Sequence, residues 1–291
     1  MFAQMVALST RCVARAVTPA AFLARAAECG AGGVALDPSV APAWVAELEP
    51  ALYLARDSLP LVAVAAPAHA STARRTPMLA SLDDDERRAA AQLVTLAIDR
   101  AGRHGAGVVV LSLGELPLRH GHEDLARRYA RATLTAEFVS RIEEERVRLS
   151  PRALDAARFG LDLVLPAAAR GRVVLALQNR ARWTAIPDDA ELGVLLEDYR
   201  GAPLSTWVAP DAAYVRDRLG FAGREARTAL LIRAAGAWLS DAAGLEGELP
   251  WGSGEVNHAA LLAALPEHAL RVIHTRADTT DAELAVALLA A

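Results

Sequence analysis

Short apolar runs alternate with amphipathic helical stretches along the whole chain. Residues 5–9 read as a first strand. Thr18 then caps a helix through Ala27 that gathers Phe22, Leu23, Ala26 and Ala27 on one face. Gly32 and Gly33 break the pattern before a second strand at 34–36, which ends at Asp37. A short helix follows over 43–49, where Pro50 stops or kinks it before a further turn toward Arg56. The third strand, 61–66, ends near Pro67 and His69. A long helix from Ser81, Asp84 and Asp85 to His104 carries its acids at the positive end of its dipole. Strand four is 108–113. Residues 123–169 read as helical, split in two at Ser150-Pro151, because Ser caps and Pro suits a first turn. Strand five is 173–177, with a helix from Asp188 to Tyr199. Strand six is 204–208, with a helix over 224–233, and strand seven is 234–239. A Gly-rich loop covers 245–254 and a short helix 259–265. Strand eight is 270–274 and the closing helix 281–289. Eight such βα repeats predict one α/β domain over 1–291: a single (β/α)8 TIM barrel with parallel strands, a fold that needs about 250 residues.

Composition narrows the chemistry. The chain has 53% hydrophobic residues and a net charge of -4, which gives no electrostatic footprint for nucleic acid. All 31 basic residues are Arg, so Schiff-base lysine chemistry is excluded. Cys12 and Cys29 have no metal-binding or disulfide-framework spacing. No apolar run approaches the roughly 18 residues of a membrane span, and the first ten residues lack signal-peptide character. The expectation is a cytoplasmic protein with no nucleic-acid and no membrane partner. No G-x-G-x-x-G follows the first strand, which argues against dinucleotide binding.

Four local patterns carry a resemblance. They are Leu175-Ala176-Leu177-Gln178-Asn179-Arg180, residues 205–213, residues 236–241 followed by Pro250-Trp251-Gly252-Ser253-Gly254-Glu255-Val256, and residues 271–276. Together with the strand order they make the chain resemble the xylose isomerase-like TIM barrels, the group of the sugar phosphate isomerases/epimerases. That resemblance implies one divalent cation held by a Glu ending strand five, an Asp or Asp-x-x-His after strand six, a His near strand seven and a Glu on strand eight. The cation would polarise a hydroxy-ketone while carboxylates move a proton. This chain instead has Gln178, then Ala209 and Ala212 with Asp211 out of register, then Trp238, then His274. Four such departures remove most of the negative charge a hard cation needs.

Two readings follow. In the first, the barrel has lost its metal and is a non-catalytic or metal-independent small-molecule binder of a metabolic or biosynthetic pathway, with no cofactor and no divalent metal expected. A protein partner or a homodimer is compatible with it. In the second, it is an active isomerase, epimerase or lyase on a small hydroxy-carbonyl compound. The catalytic candidates are His274, Asp241 and Gln178. The substrate-binding candidates are Arg180 and Arg276 for an anionic group, Trp207 and Trp238 as aromatic walls that narrow the mouth, and His69 and Glu255 on strand-end loops. Asp37, Glu115 and Asp211 lie near other strand ends, and Arg119-His120-Gly121-His122-Glu123 reads as a solvated loop.

Overall fold

The computed structural model describes residues 5–12, 17–66, 76–178, 182–221 and 223–291. The strands are β1 (Val6–Ser9), β2 (Gly33–Leu36), β3 (Leu61–Ala66), β4 (Val108–Leu111), β5 (Val174–Gln178), β6 (Leu204–Val208), β7 (Ala234–Leu239) and β8 (Leu270–Ile273). Each pairs in parallel with its sequence neighbour, and β1 pairs with β8 to close the barrel. The helices are α1 (Pro19–Glu28), α2 (Pro42–Ala55), α3 (Asp84–His104), α4 (His122–Ala130), α5 (Ala136–Gly171), α6 (Asp189–Asp198), α7 (Pro210–Arg218), α8 (Arg224–Leu231), α9 (His258–Ala264) and α10 (Asp281–Ala290). The single parallel barrel expected from the sequence is therefore the observed fold. No described helix is long and apolar enough to cross a membrane.

Local chemistry explains most boundaries. Thr18 accepts the Ala21 N–H at the start of α1, as its position predicts. Asp188 and Glu191 form a reciprocal capping box at α6, and Thr280 and Glu283 form another at α10. The α3 cap is Asp83 rather than Ser81; its carboxylate accepts from Asp85 and Glu86.

Four expectations are corrected. α5 runs unbroken for 36 residues through Pro151. Proline removes one bond to the carbonyl four residues back, here that of Val147, whose side is open to solvent. The break falls earlier, where Ala132 takes a left-handed φ of 52° and Thr135 caps α5 through the Phe138 N–H. Pro50 likewise sits inside α2 on an exposed face and does not end it. α7 is absent from the sequence reading, although Pro210 at its first turn, Asp211 in that turn and Arg216 and Arg218 in its last are start and stop signals. The start of the Gly-rich loop belongs to a hairpin in which Glu246–Leu249 pairs with Asp241–Ala243 before it.

The strand period of two sorts the apolar residues into two cores. Leu8, Val34, Val64, Val109, Leu111, Leu175 and Leu177 face the helices in the larger one. Their alternates Ala7, Ala35, Ala63, Ala65, Val110 and Ala176 form the barrel interior with Trp207, Trp238 and Val272. Bulky aliphatic residues ordinarily fill such interiors. Here small alanines leave space and the two indoles occupy it, with ring centroids 4.8 Å apart. Gly236, opposite Trp207 in the β6–β7 register, admits the larger ring. A Cβ added there would lie 2.6 Å from Trp207 Cη2 and 2.8 Å from the Leu270 carbonyl oxygen. Gly236→Ala is therefore expected to destabilise by about 1–3 kcal/mol through overpacking, read as a lower denaturant midpoint at unchanged slope. A wild-type midpoint would contradict this packing.

Candidate active site at the barrel mouth

The C-terminal strand ends surround a cavity of about 530 Å³. Thr10, in the turn after β1, accepts the Asp37 N–H through its hydroxyl at 2.8 Å, which fixes the end of β2. Asp37 then accepts the Ser39 N–H at 2.8 Å. At the floor, the Gln178 side-chain amide donates to Ser112 Oγ at 2.7 Å. Its carbonyl oxygen accepts the Trp238 Nε1–H at 2.6 Å. Trp238 packs against the His274 ring with centroids 4.4 Å apart. His274 Nδ1 lies 3.1 Å from Ser9 Oγ, and its Nε2 lies 4.0 Å from Asp37 Oδ2 and 3.9 Å from Glu248 Oε1. Those two separations are too long for hydrogen bonds. His274 is 8% exposed, as are Asp37 and Asp211.

Glu248 reaches this group from the hairpin and is held through its backbone and one carboxylate oxygen. Arg11 Nε and Nη2 donate to one carboxylate oxygen at 3.0 and 2.6 Å. The Glu248 N–H donates to Asp211 Oδ2 at 3.1 Å, and its carbonyl accepts from Arg276 N at 2.9 Å. Its φ is 56°, a left-handed conformation that is costly for a side-chain-bearing residue and persists where surroundings over-determine it. Burial pushes the Asp211 carboxyl above the usual carboxylate range, and the N–H groups of Ala212 and Glu248 recover only part of that shift. Gly247 leaves room for it, since a Cβ there would sit 2.9 Å from Asp211 Oδ2. On the opposite wall, burial foremost and Arg182 next lower the His122 pKa.

The sequence candidates divide accordingly. Gln178, Trp238 and His274 share the mouth with Asp37 and Asp211. Trp207 is fully buried beneath it, in the barrel interior. Asp241 is 1% exposed and lies outside the cavity lining. Its oxygens accept the N–H groups of Ala242, Gly252, Gly254 and Val256 at 2.8–3.1 Å, so it organises the Gly-rich loop. Glu255 pairs at the surface with Tyr214 and Arg218. Arg276 pairs with Glu246 and with Asp278 at 3.0 Å, outside the cavity lining. Glu115 accepts from Thr184 at 3.1 Å, beyond the mouth. His69 and Arg180, with Asn179, lie outside the described residues. The sequence reading missed Ser9, Arg11, Ser112, Arg182 and Glu248, and it placed His122 in a solvated loop, whereas His122 opens α4, is partly buried and lines the mouth. Ser9 and Ser112 stand at or just past strand ends, and that signal was available. Glu248 had none, because only the hairpin carries it to the mouth.

No protein-family model matches this chain, and no curated protein matches its sequence. Solved structures do match over nearly all of it. L-ribulose 3-epimerase aligns with a TM-score of 0.68 at 14% identity, covering 99% of this chain and 93% of the other. The 3-keto-D-glucoside 4-epimerase YcjR from E. coli aligns at 0.67 with 12% identity, covering 99% and 98%. D-allulose 3-epimerase from Methylomonas sp., solved with D-allulose, aligns at 0.60 with 15% identity, covering 98% and 89%. This chain has the fold of the xylose isomerase-like sugar isomerases and epimerases.

Proposed function

We propose that this chain binds a small hydroxylated or hydroxy-carbonyl molecule in the mouth of its barrel without a divalent metal. The observation that carries the reading is the bonded floor of the cavity. Where the resemblance implies a carboxylate on strand five, Gln178 offers a neutral amide. Both ends of that amide are engaged, one with Ser112 and the other with the Trp238 indole. The resemblance also implies a ligand His where this chain has Trp238, and donors after strand six where it has Ala209 and Ala212. A neutral amide, an indole N–H and methyl groups do not fit a hard divalent cation, which takes several charged oxygen ligands. Around this floor, Asp37, Asp211, Glu248, Arg11 and His274 present the mixed donors and acceptors that hydroxyl and carbonyl groups bond to. The similarity in fold to epimerases of ribulose, allulose and a keto-glucoside supports a ligand of that size and polarity.

The test has two arms. The purified chain is incubated with Mn2+, Zn2+ or Mg2+, desalted and analysed for metal; no stoichiometric retention is expected. Calorimetry with L-ribulose, D-allulose and related ketoses is expected to give saturable binding that EDTA leaves unchanged. About one retained equivalent of metal would overturn the metal-free assignment, and absence of binding across the panel would overturn the ligand class.

A further inference from the structure

We propose that the mouth also turns its ligand over, with His274 as base and Asp211 as acid in a metal-free proton transfer at the carbon next to a carbonyl. The inference rests on the reading of the mouth as the ligand site. Both side chains line the same cavity and both are more than nine-tenths buried. His274 is oriented from behind, by Ser9 at Nδ1 and by the face of Trp238, while the carboxylates nearest Nε2 among the described residues stand 3.9 and 4.0 Å away. Those carboxylates, Asp37 and Glu248, stabilise the imidazolium that forms when Nε2 takes a proton. Arg11 grips Glu248 from the far side, and the left-handed backbone at Glu248 spends conformational strain to hold the carboxylate there. On the acid side, burial favours the protonated form of Asp211, the form that donates.

The step balances without a co-reactant. The C–H bond breaks and its proton passes to Nε2. The electron pair of that bond becomes a C=C bond. The carbonyl π pair moves onto oxygen, which takes the Asp211 proton. Return of a proton to carbon from the imidazolium, and of the oxygen proton to Asp211, regenerates both groups. If the imidazolium returns its proton to the neighbouring carbon while the hydroxyl on the first carbon gives its proton to Asp211, the product is an isomer; if the intermediate presents its other face to the imidazolium before the proton returns, the product is an epimer. Nothing is oxidised or reduced overall.

The charged and titratable groups facing His274 are Asp37 after β2, Glu248 from the hairpin, Asp211 on α7 and Arg11 after β1. The experiment incubates the 291-residue, EDTA-treated chain in D2O with L-ribulose, D-allulose or dihydroxyacetone, and follows the proton on the carbon next to the carbonyl by NMR. Binding is measured on the same samples. Wild type is expected to wash deuterium in, and His274→Asn to slow this at least about 100-fold while still binding. Glu248→Gln is the second variant. Removing that negative charge withdraws stabilisation from the imidazolium, so exchange is expected to slow by more than binding weakens, a split that simple loss of folded protein does not produce. Ligand that binds wild type without exchange overturns the proposal and leaves the binding reading intact. Undiminished exchange in His274→Asn overturns the choice of base. No binding by any compound overturns both readings.

Discussion

Replacing Trp207 by alanine is expected to lower the free energy of unfolding by about 3–5 kcal/mol, the range for deleting a large buried aromatic. The residue has no exposed surface and stands among alanines, valines and Trp238 from the other strands. The alanines and valines are too short to close the gap, so a cavity term adds to the lost transfer free energy. Gly236, which admits the ring, cannot refill the space either. The measurement is the guanidinium midpoint at constant slope. Trp207→Phe separates packing from polarity. The indole Nε1–H finds no partner among the described residues, and a buried unsatisfied donor costs roughly 1–3 kcal/mol. Phenylalanine removes that donor while keeping most of the ring, so its cost should stay below about 2 kcal/mol. A loss under about 1 kcal/mol for the alanine variant would contradict a barrel interior supported by indole.

This interior shows why the fold was legible and the site was less so. The alternation of apolar runs with helical segments is a property of single elements. Burial of both faces of a parallel sheet writes it directly into the sequence, and eight repeats allow closure. Boundaries held where the signal is local, as at Thr18 for α1 and Asp188 for α6. They failed where exposure decides: Pro50 and Pro151 break a helix only if the freed carbonyl is denied water, and both sit on wet faces. The strand-end rule found Gln178, Trp238 and His274, because the end of a barrel strand faces the mouth whatever follows. It could not place Asp241, one residue beyond the first Ser after β7, where a hairpin begins and turns the carboxylate onto loop amides. The same hairpin delivers Glu248, nine residues after the strand ends, to within 3.9 Å of His274. Proximity of that kind is a consequence of tertiary pairing and has no periodicity to read. The sequence places Trp207 with Trp238 at the mouth, each one residue before the end of its strand. A register shift between Thr206 and Trp207 accompanies the difference in depth, with Trp207 set below the cavity and Trp238 lining it.

Asp241→Ala should be nearly as disruptive as loss of Trp207, and its effect should depend on pH. The carboxylate accepts four backbone N–H groups, and the His258 ring nitrogen lies 3.2 Å from it. Removing it strands the donors of Ala242, Gly252, Gly254 and Val256 in a partly buried loop, at a cost of about 2–4 kcal/mol. Burial by itself raises the Asp241 pKa, but the N–H groups of Val256, Gly254 and Ala242 with the His258 ring outweigh it, and the net shift is downward. A carboxyl with a lowered folded-state pKa contributes stability above its unfolded value, about 3.9 for Asp, and that contribution disappears as pH falls through the folded value. Wild type should therefore exceed the Asp241→Ala variant by a constant margin near neutrality, and the margin should narrow below about pH 4. Asp241→Asn refines the comparison: it retains acceptor geometry for two of the four donors at most and carries no charge, so it should fall between the two and lose the acid dependence. Because Asp241 lies outside the mouth, ligand binding by the folded fraction of Asp241→Asn should match wild type. A pH-independent margin would show that neutral loop packing, rather than the carboxylate, holds the segment from Gly252 to Val256.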